Sequence, residues 1–299
     1  MVSASIRQER EKQKKKGETI AASQGRQSKS CILVSAVPKP MESSEFKELA
    51  AKNLIRKEWS RSIGSGTFGT YSGIPVVIKH YKDKRYARNN SHNLSLLQKE
   101  GKHEARVLLN LGDHPGIPLL FGVSLKEVPV SLVLKFHGNG DESLAVNKAA
   151  KNKIVSLKRD WNRIFYDTAD ALQHIHKCRF AHNDLETNHV VLEKRDDQVL
   201  HPVIIDFGKS VAFSKANNPV PKPAHLKGKY KNSYIAPEPV GGTGKPSIES
   251  DVYSLAFMIQ SFDTILKFQN TDFIKRALSI QPVDRPSVSE VKAALHPAL

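Results

Sequence analysis

The sequence has few sulfur residues and few large aromatics: two cysteines, three methionines and two tryptophans in 299 residues. Two cysteines, Cys31 and Cys178, exclude a disulfide framework and a cysteine-rich metal centre, and make an intracellular setting, cytoplasm or nucleus, the default. No apolar run approaches the roughly eighteen residues of a membrane span. The first residues have no apolar stretch behind their basic ones, so a secretory signal is not expected. Acidic residues are the scarcer charge, 30 against 46 lysines and arginines, for a net charge of +16. That balance favours acidic partners (nucleic acid, anionic lipid, acidic peptides, nucleotide phosphates) without choosing among them. The length allows a sizeable core, in one large domain or in two lobes around a cleft.

Residues 1–42 read as a disordered basic tail, rich in Lys, Gln, Ser and Gly. Its cluster Lys12-Gln13-Lys14-Lys15-Lys16 reads as a solvated charge run, with nuclear import or nucleic-acid binding as the alternative. Residues 43–58 read as a short amphipathic lead-in helix. Beyond it, β-type runs occur at 74–79, 130–136, 190–193 and 203–206, and helical stretches lie between and after them. Trp161, Ile164, Phe165, Thr168, Ala169, Leu172 and Ile175 form one helical stripe, and 252–262 is apolar almost all round. Strands gathered early and helices late predict an α+β fold with two lobes.

Several short patterns carry chemistry. Gly64-Ser65-Gly66-Thr67-Phe68-Gly69 lets backbone N–H groups approach phosphates, and the strand that follows makes it a hairpin lid rather than a helix-opening turn. Lys79 ends an apolar strand. Glu104 shares a helical face with Leu97, Leu108 and Leu111, a costly place for a carboxylate without a cation, so Lys79 is its expected partner, and Glu100, near the same stripe, is the competing carboxylate for that lysine. Asp184, in His182-Asn183-Asp184-Leu185, suits a general base, and Asp206, in Asp206-Phe207-Gly208 after a strand, suits a hard cation. Taken singly, each aspartate is more often a turn residue or a cap. The histidines 174, 176 and 182 share no helical face and His103-Glu104 lacks a second histidine, which disfavours zinc. Cys178 reads as a packing residue.

In sequence order these elements, with Ala236-Pro237-Glu238, Asp251 and Asp284-Arg285-Pro286, resemble the protein kinase family over residues 59–295. The resemblance implies a bilobal fold, with a small β-rich N-lobe at 59–135, a larger helical C-lobe at 136–299 and an ATP cleft between them. It implies that Gly64, Gly66 and Gly69 cover the phosphates of ATP. Lys79, positioned by Glu104, holds them, and Asp184 receives the substrate proton. Asp206 binds Mg²⁺ or Mn²⁺, with His189 at the second metal position. Val77, Leu134, Lys135, Phe136 and Val191 would line the adenine site, with Leu134 the gatekeeper and Lys135-Phe136-His137 the hinge. Asp251 caps the catalytic-loop backbone, Glu238 pairs with Arg285, and His182, Phe207 and Leu108 stack between the lobes. The implied activity is phosphoryl transfer from ATP to a protein hydroxyl, Ser/Thr rather than Tyr.

The departures from the family pattern are also specific. Glu186 stands where a lysine is usual, His189 where an asparagine is, with Asn188 as its possible substitute, and Val77 where an alanine is. Asn183 replaces the arginine that reads a phosphorylated loop. Lys231 takes a threonine's place and is expected to pair with Glu186, a swap of the usual charges. The loop 207–237 has six lysines and no acidic residue, which favours an acidic substrate or partner. Only 34 positions separate Asp251 from Arg285, which predicts a reduced docking helix. These departures support the alternative reading, a pseudokinase acting as an interaction module.

Overall fold

The computed structural model describes residues 54–56, 66–81, 94–125, 129–138, 142–215, 233–262 and 271–296, all within the contact unit 31–299. The basic tail, Gly64 and Lys231 lie outside the described residues.

A five-stranded antiparallel sheet comes first, built from β1 (Leu54–Arg56), β2 (Gly66–Tyr71), β3 (Ile74–Tyr81), β4 (Leu120–Ser124) and β5 (Val130–Lys135) in the order β1-β2-β3-β5-β4. Ser72 and Gly73 join β2 to β3 with φ of +49° and +81°, the pair of left-handed residues a two-residue hairpin turn requires. The resulting register sets Gly66 opposite Lys79. Along β3, Val76, Ile78 and His80 are buried, so the two-residue period turns Val77, Lys79 and Tyr81 to the other face. Residues 43–58 were expected to be helical, but Leu54–Arg56 is a strand paired with Gly69–Tyr71. The open edge of β2 offers unpaired backbone groups there, and a short apolar segment satisfies them.

Helix α1 (Leu94–Leu111) packs on this sheet through Leu97, Gly101, Glu104, Ala105 and Leu108. A Cβ on Gly101 would come within 2.9 Å of a Val130 methyl, so glycine permits the close approach of α1 to β5.

The second half is mostly helical: α2 (Val146–Lys151), α3 (Lys158–Lys177), α4 (Pro237–Gly241), α5 (Ile248–Gln260), α6 (Thr271–Ala277) and α7 (Val288–Ala294). Two small antiparallel pairs, β6 (Phe180–Ala181) with β9 (Val211–Ala212) and β7 (Val190–Lys194) with β8 (Leu200–Ile204), carry the loops of interest. The stripe on α3 is fully buried, and Phe262 closes on Trp161 and Phe165 at ring-centroid distances of 4.7 and 5.2 Å. A reciprocal Ser247–Ser250 capping box opens α5, whose Val252, Leu255 and Ile259 have no exposed surface. One continuous apolar core joins sheet and helices. Cys178, at the C-terminus of α3, is buried as expected. Among the described residues no helix is long and apolar enough to cross a membrane.

Candidate active site

Lys79, on the face of β3 opposite its buried valine and isoleucine, meets two carboxylates. Its Nζ donates to Glu104 Oε1 and Oε2 at 2.8 and 2.6 Å and to Asp206 Oδ1 at 2.7 Å. Glu104, one per cent exposed, also accepts from Tyr81 Oη and from the Phe207 backbone N–H at 3.3 Å. Glu104, not the exposed Glu100, is therefore the partner. Burial works to lower the Lys79 pKa, but Glu104 and Asp206 outweigh it and hold the ammonium above its usual range. Burial and the Glu104 charge push the Tyr81 phenol well up, so it stays a donor. Burial alone would raise Asp206, yet the Lys79 charge, aided by His189 and the Gly208 N–H, holds it below the usual carboxylate range. The expected strand ends at Ile204, and Asp206 sits beyond it with φ of +66°, which turns its carboxylate toward Lys79.

Asp251, buried at the start of α5, organises the catalytic loop. Its Oδ2 accepts from the His182 N–H at 2.7 Å and from His176 Nε2–H at 2.8 Å, and its Oδ1 from the Asn183 N–H at 2.8 Å. Asn183 adopts a φ of +63° to present that N–H. His182 has no exposed surface; its Nε2–H donates to Ile205 O at 3.2 Å, its Nδ1 accepts from the Asp184 N–H at 3.3 Å, and its ring meets Phe207 edge-on at 5.0 Å. Burial lowers its pKa, in keeping with this neutral tautomer.

The Asp184 carboxylate, 5% exposed, is held from outside the loop. Its Oδ1 accepts from Lys209 Nζ and from Tyr234 Oη, both at 2.8 Å. Burial, then Asp184, pushes the Tyr234 phenol up. His189 donates through Nδ1 to Asp184 O at 2.7 Å, which aims its Nε2 at Glu186 Oε1 and Asp206 Oδ2, each 3.6 Å away. Asn188, the alternative at this place, is exposed and its Oδ1 accepts from Asn147.

Beside the charged groups lies a cavity of about 440 Å³. Gly66, Val77, Leu134, Val191 and Ile205 give it an apolar slot, and Lys79, Glu104, His189 and Asp206 a charged end. Lys135 and His137 line it from the hinge segment. Phe136 does not, contrary to expectation, because its ring packs edge-on against Phe68 at 4.9 Å. Gly69, paired with Val76 in the hairpin, is not a lining residue either. The Lys135 ammonium is drawn to Glu193 Oε1 at 2.8 Å, while Arg195 Nε lies 3.1 Å and His137 Nδ1 3.3 Å from Oε2. Burial would raise Glu193, but its contacts with His137, Lys135 and Arg195 hold it far below the usual range.

The Arg285 guanidinium, fully buried, binds Glu238 through two parallel contacts of 2.7 and 2.8 Å and fixes α4 next to Tyr234. The contacts of Tyr81, Lys209 and Tyr234 were not foreseen. The local sequence around each carries no signal of a partner between 23 and 50 positions away.

Comparison with known proteins agrees with this geometry. The protein kinase domain family matches residues 57–269. Similar proteins include the leaf rust 10 disease-resistance locus receptor-like protein kinase-like 1.2 of Arabidopsis thaliana, 26% identical over 67% of this chain and 29% of its own length. Serine/threonine-protein kinase PknA of a Nostoc strain is 28% identical over 65% of this chain and 34% of its own. The 3-phosphoinositide-dependent protein kinase B of Dictyostelium discoideum is 24% identical over 79% and 28%. The chain thus spans about a third or less of the length of these curated relatives. With the family match covering most of the chain, the chain belongs to the protein kinase domain family.

Proposed function

We propose that this chain is an ATP-dependent protein kinase that moves the γ-phosphoryl group to a protein hydroxyl, Ser or Thr, in a cleft between an N-lobe and a C-lobe. The reading rests chiefly on one observation: Lys79 is held by Glu104 and Asp206 at the charged end of an apolar slot. The slot suits a planar base between Val77 and Val191, and Lys79 the α- and β-phosphates. Asp184 would take the acceptor proton, its carboxylate kept in place by the loop that Asp251 anchors. The family's Ser/Thr members and the Leu185-Glu186-Thr187-Asn188 run, which lacks the tyrosine-kinase signature, favour a Ser/Thr acceptor.

Asp206 fits a divalent cation, since its Oδ2 takes no hydrogen bond from Lys79. The second ligand position does not fit a second Mg²⁺, because His189 offers a nitrogen there. One Mg²⁺ or Mn²⁺, held by Asp206 and the nucleotide's own phosphates, would spread the phosphate charge. Residues of this chain do the rest: Lys79 orients the phosphates and Gly66 lets the lid backbone approach them.

Glu186 and His189 sustain a second reading, a kinase-like module that binds partners without useful turnover. Phosphate transfer from labelled ATP by the full chain decides, with Mg²⁺ or Mn²⁺, a mixed acidic and neutral protein substrate, and Asp184→Asn and Asp206→Ala as controls. Transfer that both substitutions abolish supports the kinase. Transfer no greater than in the controls supports the module. The basic tail remains a proposed nucleic-acid contact, which strong salt dependence of RNA or DNA binding would reveal.

A further inference from the structure

We propose that Lys209 supplies the ammonium group at the transferring phosphate that position 186 lacks; this rests on the kinase reading above. Three carboxylates, Asp184, Glu186 and Asp206, surround His189, each with an oxygen 3.6 Å from its ring nitrogens. A phosphoryl group entering that space meets repulsion unless fixed cations face it. Lys79 is engaged by Glu104 and Asp206. The ammonium at Asp184 belongs to Lys209, 2.8 Å from Oδ1. Lys231, expected to pair with Glu186, lies outside the described residues.

The Lys209 side chain is 62% exposed, yet the fold places both its ends. It ends the single turn Phe207–Lys209, which the Asp206 carboxylate caps by accepting from the Gly208 N–H at 3.4 Å. Its carbonyl accepts from Asn183 Nδ2 at 3.1 Å, so the residue in the arginine's place ties the turn to the catalytic loop. The next residue, Ser210, is buried, donates through Oγ to His182 O at 3.2 Å, and accepts on its carbonyl from His103 Nε2–H at 2.8 Å. Loop and α1 together therefore fix the base of Lys209, and its tip reaches a carboxylate that is only 5% exposed.

In the transfer step the acceptor O–H gives its proton to Asp184 and its oxygen bonds to Pγ. The bond from Pγ to the β–γ bridging oxygen breaks, and its electron pair leaves with ADP. Lys209 stays an ammonium throughout, donating to a γ-phosphoryl oxygen and moving no proton.

Lys209→Met, Lys209→Arg and the double variant Lys209→Met/Glu186→Lys of the full chain test this. Removing a donor of this kind lowers turnover by about 10²–10³-fold. Lys209→Met is expected to lower kcat by that much with melting temperature unchanged. Lys209→Arg should keep part of the activity. The double variant should recover at least about tenfold over Lys209→Met by restoring the cation from the loop side, which a merely structural role of Lys209 would not allow. If wild-type transfer depends on Asp184 but Lys209→Met stays within threefold of it, the proposal is wrong and the kinase reading stands. If wild type transfers nothing, the kinase reading fails, and binding of ATP against ADP then decides for Lys209. A wild-type preference for ATP that Lys209→Met erases supports the contact, and an unchanged ratio, or no nucleotide binding, overturns it.

Discussion

Replacing Arg285 by methionine tests whether the buried pair below Tyr234 holds the helical half together. The methionine keeps an apolar stem against Tyr253, whose ring centroid lies 5.0 Å from the guanidinium carbon. It removes both contacts to Glu238, at 2.7 and 2.8 Å, and the donations to Ser279 O and Glu249 O, each at 3.0 Å. Glu238, with a side chain 9% exposed, is then a buried carboxylate with no cation. Losing one partner of such a pair costs about 3–5 kcal/mol, a fifth or more of a typical domain's stability of roughly 5–15 kcal/mol. At about 2–4 °C per kcal/mol for a domain of this size, the melting temperature should fall by about 6–20 °C. Trp161, fully buried, reports the transition by fluorescence. Adding Glu238→Leu removes the orphaned charge, so the double variant should melt close to, or above, Arg285→Met and not at the sum of two losses. An Arg285→Met protein that melts within about 2 °C of the parent would refute the reasoning, since Glu238 would then be solvated without cost.

Stability should respond to pH in two separate windows. His182 has a folded-state pKa below its ordinary value, so its contribution is whole above about pH 6.5 and is lost as pH falls below that. Glu193 is also depressed, and its contribution is whole above about pH 4.5 and is lost below. Urea melts across pH should show both declines, with Glu193→Gln flattening only the lower one; a single decline common to both proteins would contradict the assignment. Tyr234→Phe removes a donor from Asp184 Oδ1 that an acceptor hydroxyl must compete with. Its kcat/KM should rise by about tenfold or more, the equivalent of one hydrogen bond to a charged group, and a fall would mean that Tyr234 positions Asp184. Val77→Ala should tighten ATP binding about two- to tenfold by removing two methyls from the slot lining, and weaker binding by calorimetry would show that the valine methyls contact the base.

The strand and helix periods were legible wherever an element buries one face. The stripe from Trp161 to Ile175 and the leucines flanking Glu104 name their own buried sides, because a 3.6-residue period leaves little choice. That Glu104 needs a cation followed from the cost of an unpaired carboxylate on such a face, so the Lys79 pair was foreseeable across 25 positions. The strand at Leu54–Arg56 was not, since three residues carry no period and their conformation comes from the neighbouring edge. Phe136 was assigned to the cavity by its place in the hinge, and the side its ring takes depends on Phe68, 68 positions earlier. The sequence by itself determined which chemical groups this protein has and their order, down to the missing lysine at 186 and the missing amide at 189. Only the tertiary structure decided which cation meets Asp184, because that contact joins a loop, a left-handed turn at Asp206 and α5. Their meeting is set by packing and backbone geometry rather than by any local period.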